Sequence, residues 1–398
     1  MPSKPSSPES QTTPFLFLGS LSTFSLLTFD LYQPALPAIT TYFNTTPALG
    51  QLTLSLFFFV FGFSQLIWGP LIDHFGRQST LRLSLILFFI ATLGCIFSIN
   101  IEFLILSRTL QGFAVCCAHV VAFSSSRDYE DSTDRARVLS HITMIVSVSP
   151  IFAPLIGSLI FMHYGWQATF VVMALISVLL FVLAARLLKE APNWSKNGNS
   201  FLWRASLASY KNILTHKRFW IGIALASASY SCVMIVIVNA AYLIIDHLKI
   251  SPFYFSILFG INGIMLILGN YIGIKLREKK SLIWNIRLGS MTMILSSSVM
   301  LAMLLCGQDL TLLGLAPILV IALGISLLNP PTFSIVLEDY KQQAATATGI
   351  LNTIRMTLAA VIGGLSGAVI TYHFSVLPIS LFICSLICLI FSFLIWED

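Results

Sequence analysis

The sequence predicts an all-α membrane protein, with twelve transmembrane helices in two pseudo-symmetric six-helix bundles. Of its 398 residues, 57% are hydrophobic and only 10% charged. The mean hydropathy is +0.88, and a soluble domain carries about 25% charged residues. The chain also divides into twelve apolar stretches, each close to the roughly 20 residues that a helix needs to cross a bilayer. A single long polar connection, residues 188–217, separates six stretches from six.

In chain order, residues 1–13 are rich in Pro, Ser and Thr and read as a disordered tail. Spans are expected at 14–38, 48–71, 80–99, 102–126, 137–161 and 166–187, which makes 14–187 the first bundle. The second bundle, 218–398, has its spans at 218–245, 252–274, 283–305, 311–335, 343–371 and 375–396. In the linker, Phe201 to Lys217 is amphipathic and basic, with Trp203, Leu207 and Ile213, which suits a segment lying on the membrane surface.

Of the 22 Lys and Arg residues, nineteen fall on the side of the N-terminus. Lys249 alone falls on the other side, and Arg108 and Arg355 lie inside spans. Positive charge accumulates in cytoplasmic loops, so both termini are expected in the cytoplasm. The net charge of +6 is then an orientation signal and not a footprint for nucleic acid.

The seven cysteines fall in apolar segments without zinc or CxxC spacing and read as small packing residues. His119, His141 and His163 show no metal spacing either, so neither metal nor cofactor is expected. The chain lacks HExxH, GxSxG and GxxxxGK[ST] patterns, which speaks against an enzyme and against ATP as the energy source. An ion gradient remains, and one elementary charge crossing 100 mV is worth about 2.3 kcal/mol. Six spans plus six is the arithmetic of a secondary transporter with a midplane cavity.

The fourth span, read from Glu102 to Ser126, carries the first intramembrane charge. Arg108, Gln111, Val115 and His119 share one helix face. A guanidinium keeps its proton and must find a partner inside the protein. That face is expected to line an internal cavity, with Arg108 and His119 about 16 Å apart along the axis. Arg108 also admits a plainer reading, as a tie between helices through buried carbonyls.

Between spans two and three stands Gly69-Pro-Leu-Ile-Asp-His-Phe-Gly-Arg-Gln78. Its glycines permit a tight turn, and Asp73 and Arg77 can clamp neighbouring helix ends. The loop resembles the Gly-x-Leu-x-Asp-x-x-Gly-Arg signature of the major facilitator superfamily at Gly69, Leu71, Asp73, Gly76 and Arg77. The resemblance implies the fold of that superfamily and a conformational latch at Gly69, Asp73, Gly76 and Arg77. The stretch Gly273 to Lys280 looks like a decayed copy without the Asp. Arg108-Thr-Leu-Gln-Gly112 resembles the superfamily's Arg-x-x-Gln-Gly motif, which links the arginine to proton coupling. Ser149 to Ser158 resembles the exporter motif Gly-Pro-x-x-Gly-Gly. There Pro154 and Gly157 match, Ala153 and Ser158 replace glycines, and Pro150 and Pro154 should bend the helix.

Span one carries Phe29-Asp-Leu-Tyr-Gln-Pro-Ala-Leu-Pro37. With Arg127-Asp128, and with Ala344 to Gly364 in span eleven, it resembles the drug:proton antiporters of the Bcr/CflA type. The resemblance makes Asp30 the proton carrier, with Arg108 tuning it. A hydrated structural carboxylate at the outer mouth is the other reading of Asp30. It further implies proton-coupled export of small amphipathic or lipophilic compounds across a bacterial inner membrane, with protons, the substrate and the bilayer as partners and a monomer as the working unit. A dedicated exporter or a proton symporter of one metabolite or siderophore is the alternative. Cavity candidates are Tyr32, Gln111, His119, Tyr230, Asn239, Asn262, Asn352 and Arg355. Arg355 could receive an anionic group, pair with Asp30, or snorkel to the inner surface.

Overall fold

The computed structural model describes residues 13–128, 132–191, 194, 213–307, 311–340, 344–370 and 373–396. The expected tail and most of the linker, including Phe201 to Asn212, lie outside the described residues. Among the described residues, twelve helices are long and apolar enough to cross a membrane. The first bundle holds α1 (Phe15–Asp30, resumed at Leu36–Tyr42), α2 (Pro47–Phe75), α3 (Arg77–Ile96), α4 (Ile101–Ser124), α5 (Ser132–Tyr164) and α6 (Trp166–Leu187). The second holds α7 (Lys217–Ala241, extended by a π turn, Tyr242–His247), α8 (Pro252–Arg277), α9 (Leu282–Leu305), α10 (Pro317–Glu338), α11 (Ala344–Ile370) and α12 (Val376–Leu394).

Several helix starts follow from local chemistry. Thr46, Asn100, Ser251 and Ser281 each accept a backbone N–H from three residues ahead with the side-chain oxygen. Such caps satisfy amides that have no partner within the helix. Pro47 and Pro252 stand at the first helical position, where no amide is needed.

The turn at residues 69–78 differs from the expected one. Gly69 lies inside α2, which runs on to Phe75. Gly76 alone makes the turn, at φ 85°, a left-handed conformation that disfavours any other residue. The last residue of the expected tail, Thr13, is described. Thr13 is buried, and its Oγ1 accepts the amide of Lys189 at 3.1 Å. The cysteines are free and buried apart from Cys306, which is exposed just past α9.

Within the first bundle α4 packs on α2 and α3, and α1 on α5. The bundles meet mainly along α2 with α11 and α5 with α8. Hydrogen bonds across this seam concentrate in the half remote from the termini. Gln33 Nε2 donates to the carbonyl of Ile237 at 2.6 Å, and Gln51 Nε2 to Asn239 Oδ1 at 3.1 Å. Tyr242 donates to the carbonyl of Leu36 at 3.4 Å, and Ser256 to that of Pro154 at 2.9 Å.

Helix α5 carries both predicted prolines in its interior. Gly157, one turn beyond Pro154, abuts α1 so closely that a Cβ there would stand 2.2 Å from the carbonyl oxygen of Leu31. A Cβ on Gly69 would meet nothing within 4 Å. Gly157→Ala should therefore lower the thermal stability of the detergent-purified protein by about 1–3 kcal/mol. Gly69→Ala should leave it unchanged or slightly raised. Equal unfolding midpoints for the two variants would contradict this packing.

Candidate functional site

The site begins where α1 breaks. Pro34 has no N–H to offer the carbonyl of Asp30 four residues back, and its ring crowds that carbonyl. The helix accordingly stops at Asp30, turns through Gln33–Ala35 and resumes at Leu36. Asp30 is thus well inside the first membrane span, Phe15–Tyr42, and is 1% exposed. This differs from a hydrated mouth position. Its carboxylate accepts from Ser149 Oγ at 3.3 Å. Ser149 immediately precedes Pro150 on α5, and sequence reasoning quoted it only as part of the bend motif.

Across the seam, Tyr230 on α7 lies within electrostatic reach of both Asp30 and Arg355. The Arg355 guanidinium on α11 rests 4.4 Å from the ring centre of Tyr230 and 5.1 Å from that of Phe333 on α10. His119 on α4 also lies within reach of Arg355. Its Nδ1 is 3.0 Å from Ser22 Oγ, and its ring packs against Phe61 and Phe123. Asn352 sits one turn before Arg355, on the same helix face. Asp30, His119, Tyr230 and Arg355 therefore come from both bundles to one place. Among the described residues Asp30 and Arg355 form no ion pair with one another.

Arg108 belongs to a different environment. It is fully buried inside the first bundle. Its Nη1 donates to the carbonyl of Thr28 at 3.2 Å and to Gln111 Oε1 at 2.7 Å, and Gln111 Nε2 donates in turn to Thr92 Oγ1 at 2.7 Å. The rings of Phe57, Tyr32 and Phe170 close over it at 4.4, 4.7 and 5.8 Å. Such ring faces offset part of a buried positive charge. Arg108 reaches the backbone two residues before Asp30 but not its carboxylate.

Four other cavity candidates stand away from this cluster. Tyr32 and Gln111 belong to the Arg108 cage, and the Tyr32 hydroxyl is 3.0 Å from Thr53 Oγ1. Asn239 is part of the seam, held between Gln51 and Ser366. Asn262 opens into a separate apolar cavity of about 460 Å³ inside the second bundle, beside Leu243, Phe259 and Leu315. Helical spacing placed Gln111 on the face of Arg108 but could not say what that face meets.

Comparison with known proteins fits this architecture. The family model of the Major Facilitator Superfamily matches residues 18–364. The chain belongs to this superfamily. An uncharacterized MFS-type transporter, YdgK of Bacillus subtilis (strain 168), is 29% identical over 361 residues, or 88% of this chain and 87% of that protein. The multidrug resistance protein MdtL of Escherichia coli O6:H1 is 32% identical over 161 residues, covering 40% of this chain and 41% of MdtL. Among solved structures, a D-xylose-proton symporter superposes with a TM-score of 0.74 at 13% identity, over 96% of this chain and 97% of that one. A bacterial homologue of Spinster in an inward-facing, unoccupied conformation gives 0.72 at 15% identity, over 96% and 95%.

In this superfamily member the signature loop is tied down from two sides. Arg77 makes a bidentate pair with Asp128, just beyond α4, at 2.5 and 2.9 Å, and both side chains are 7% exposed. Glu190, beyond α6, accepts the amides of Arg77 at 2.6 Å and Gln78 at 2.9 Å. A carboxylate is favoured there because the first amides of a helix lack partners and carry partial positive charge. Gln78 Nε2 also donates to the carbonyl of Leu188. A Cβ on Gly76 would stand 2.9 Å from the Glu190 carboxylate. Sequence reasoning named Asp73 and Arg77 but missed Glu190, which sits in a linker with no pattern of its own.

Removing one member of a buried pair leaves the other charge unanswered. Asp128→Asn should therefore destabilise the protein by about 3 kcal/mol. Arg77→Gln combined with Asp128→Asn should recover part of that loss. A thermal or denaturant double-mutant cycle checks this, and additive losses would argue against a direct pair.

Proposed function

We propose that this protein is a proton-coupled secondary transporter that exports small amphipathic or lipophilic compounds, in the manner of the Bcr/CflA drug:proton antiporters. We place it in a bacterial inner membrane with both termini in the cytoplasm. The observation that carries the reading is Asp30, a buried carboxyl at a break in α1, beside the seam and without an ion-pair partner among the described residues. An ionised carboxylate in such a place is expensive, and protonation removes that expense. Gain and loss of one proton can thus be tied to which side of the membrane the site faces.

With the termini inside, the hydrogen-bonded half of the seam faces outward. Gln33, Gln51, Tyr242 and Ser256 then form an outer gate that must open before substrate leaves. In the proposed cycle Asp30 takes a proton from outside, the site turns inward and the proton leaves to the cytoplasm, and substrate from the cytoplasm or inner leaflet then binds the deprotonated site. The Arg77–Asp128 pair and the Glu190 clamp steady the cytoplasmic end of α3. The partial resemblance to MdtL supports the choice of export.

The test is proton release on ligand addition to the purified protein, followed by pH-driven flux in proteoliposomes. Asp30→Asn should bind ligand, release no proton and lose gradient-driven transport. Full transport by Asp30→Asn would sink the scheme.

A further inference from the structure

Three ionisable side chains, Asp30, Arg108 and Arg355, stand deep in the described spans, and the protein meets two of them with its own polar atoms. Asp30 receives the Ser149 hydroxyl. Arg108 donates to the Thr28 carbonyl and to Gln111 within a closed aromatic cage. Arg355 is different. Its Nε is buried without a hydrogen-bond partner, and its contacts are the ring faces of Tyr230 and Phe333. No acidic side chain pairs with it among the described residues.

Ring faces offset part of the charge but present no acceptor atom to the N–H groups. The guanidinium stays protonated under any cellular condition. Its five donors form a rigid fork that matches the two oxygens of a carboxylate. The surroundings are suited to the rest of such a molecule. Tyr230 and Phe333 flank the charge, His119 and Phe123 lie on the α4 side, and Asn352 brings an amide one turn away.

We propose that the substrates are amphipathic anions, each held by a carboxylate on Arg355 with an apolar, preferably aromatic, body between the bundles. The inference rests on reading this cluster as the transport site. A lipophilic cation would sit beside an unanswered positive charge, with Asp30 as its one attractive partner. Exchange of an outgoing monoanion for an incoming proton moves charge in a single electrical sense. Transport then responds to membrane potential as well as to the pH gradient.

The test uses three probes with the same apolar body: naphthoate, its neutral methyl ester and naphthylmethylammonium. Affinities are read by calorimetry on the purified full-length protein. Naphthoate should bind about 10–100-fold more tightly than the ester, the range expected for hydrogen bonds to a charged group. Arg355→Gln should abolish that preference, and Arg355→Lys should keep part of it. Asp30→Asn should retain it. Equal affinity for the three probes, preference for the ammonium, or a preference that survives Arg355→Gln would overturn the proposal. The wild-type comparison decides even where a variant fails to fold. Charge-selective binding without potential-driven or pH-driven flux in proteoliposomes would count against the transport reading instead.

Discussion

A charge inside an apolar bundle must be answered by something, and the architecture of this protein follows from how three charges are answered. Asp30 is met by a serine hydroxyl at a place where a proline has already broken its helix. Arg108 is met by a carbonyl, an amide and three aromatic faces. That arrangement satisfies one side of the guanidinium and leaves Nε and Nη2 against ring carbon. It fastens α1, α3, α4 and α6 together, which is what a rigid first bundle requires. Arg355 is met by rings alone, at the seam where the bundles face each other. Two of the three charges thus receive polar partners within the protein, and the third receives ring faces.

The seam itself is lightly fastened. Its hydrogen bonds are few, involve neutral groups, and cluster in one half of the membrane thickness. Each neutral hydrogen bond contributes about 1 kcal/mol net. A handful can therefore be exchanged for water at modest cost. The contact along α2 and α11 extends somewhat deeper, where Gln65 Nε2 approaches the Met356 sulfur at 3.2 Å. Thioethers are weak acceptors and adaptable packing groups, which suits a surface that must slide.

The two halves of the chain repeat one another imperfectly. Asp128 beyond α4 pairs with Arg77 at the start of α3, and Asp339 beyond α10 occupies the corresponding place in the second half. Asp339 pairs instead with Arg218 at the start of α7, at 3.0 Å. The second half keeps an acidic anchor but has moved its partner, consistent with the decayed motif between Gly273 and Lys280. Glu190 adds a clamp that joins the exit of α6 to the entrance of α3, so the first bundle's loops are locked more thoroughly.

The count of twelve spans and the placing of Pro150 and Pro154 inside α5 were legible in the chain alone. These depend on local composition: hydropathy, proline and charge act through the nearest few residues. Which way each polar group points emerges only once the helices pack. In a soluble helix the apolar stripe marks the core. In a membrane bundle the lipid face is as apolar as the core, so periodicity cannot separate them. For that reason Gln111 and Tyr32 turned out to serve the Arg108 cage, Asn239 the seam and Asn262 a separate cavity. Glu190 and Gln51 carried no signal at all until distant helices were brought together, and Ser149 none beyond the bend motif. The partners of Asp30, Arg108 and Arg355 lie on other helices, and contacts between helices are not a property of any one segment of the chain.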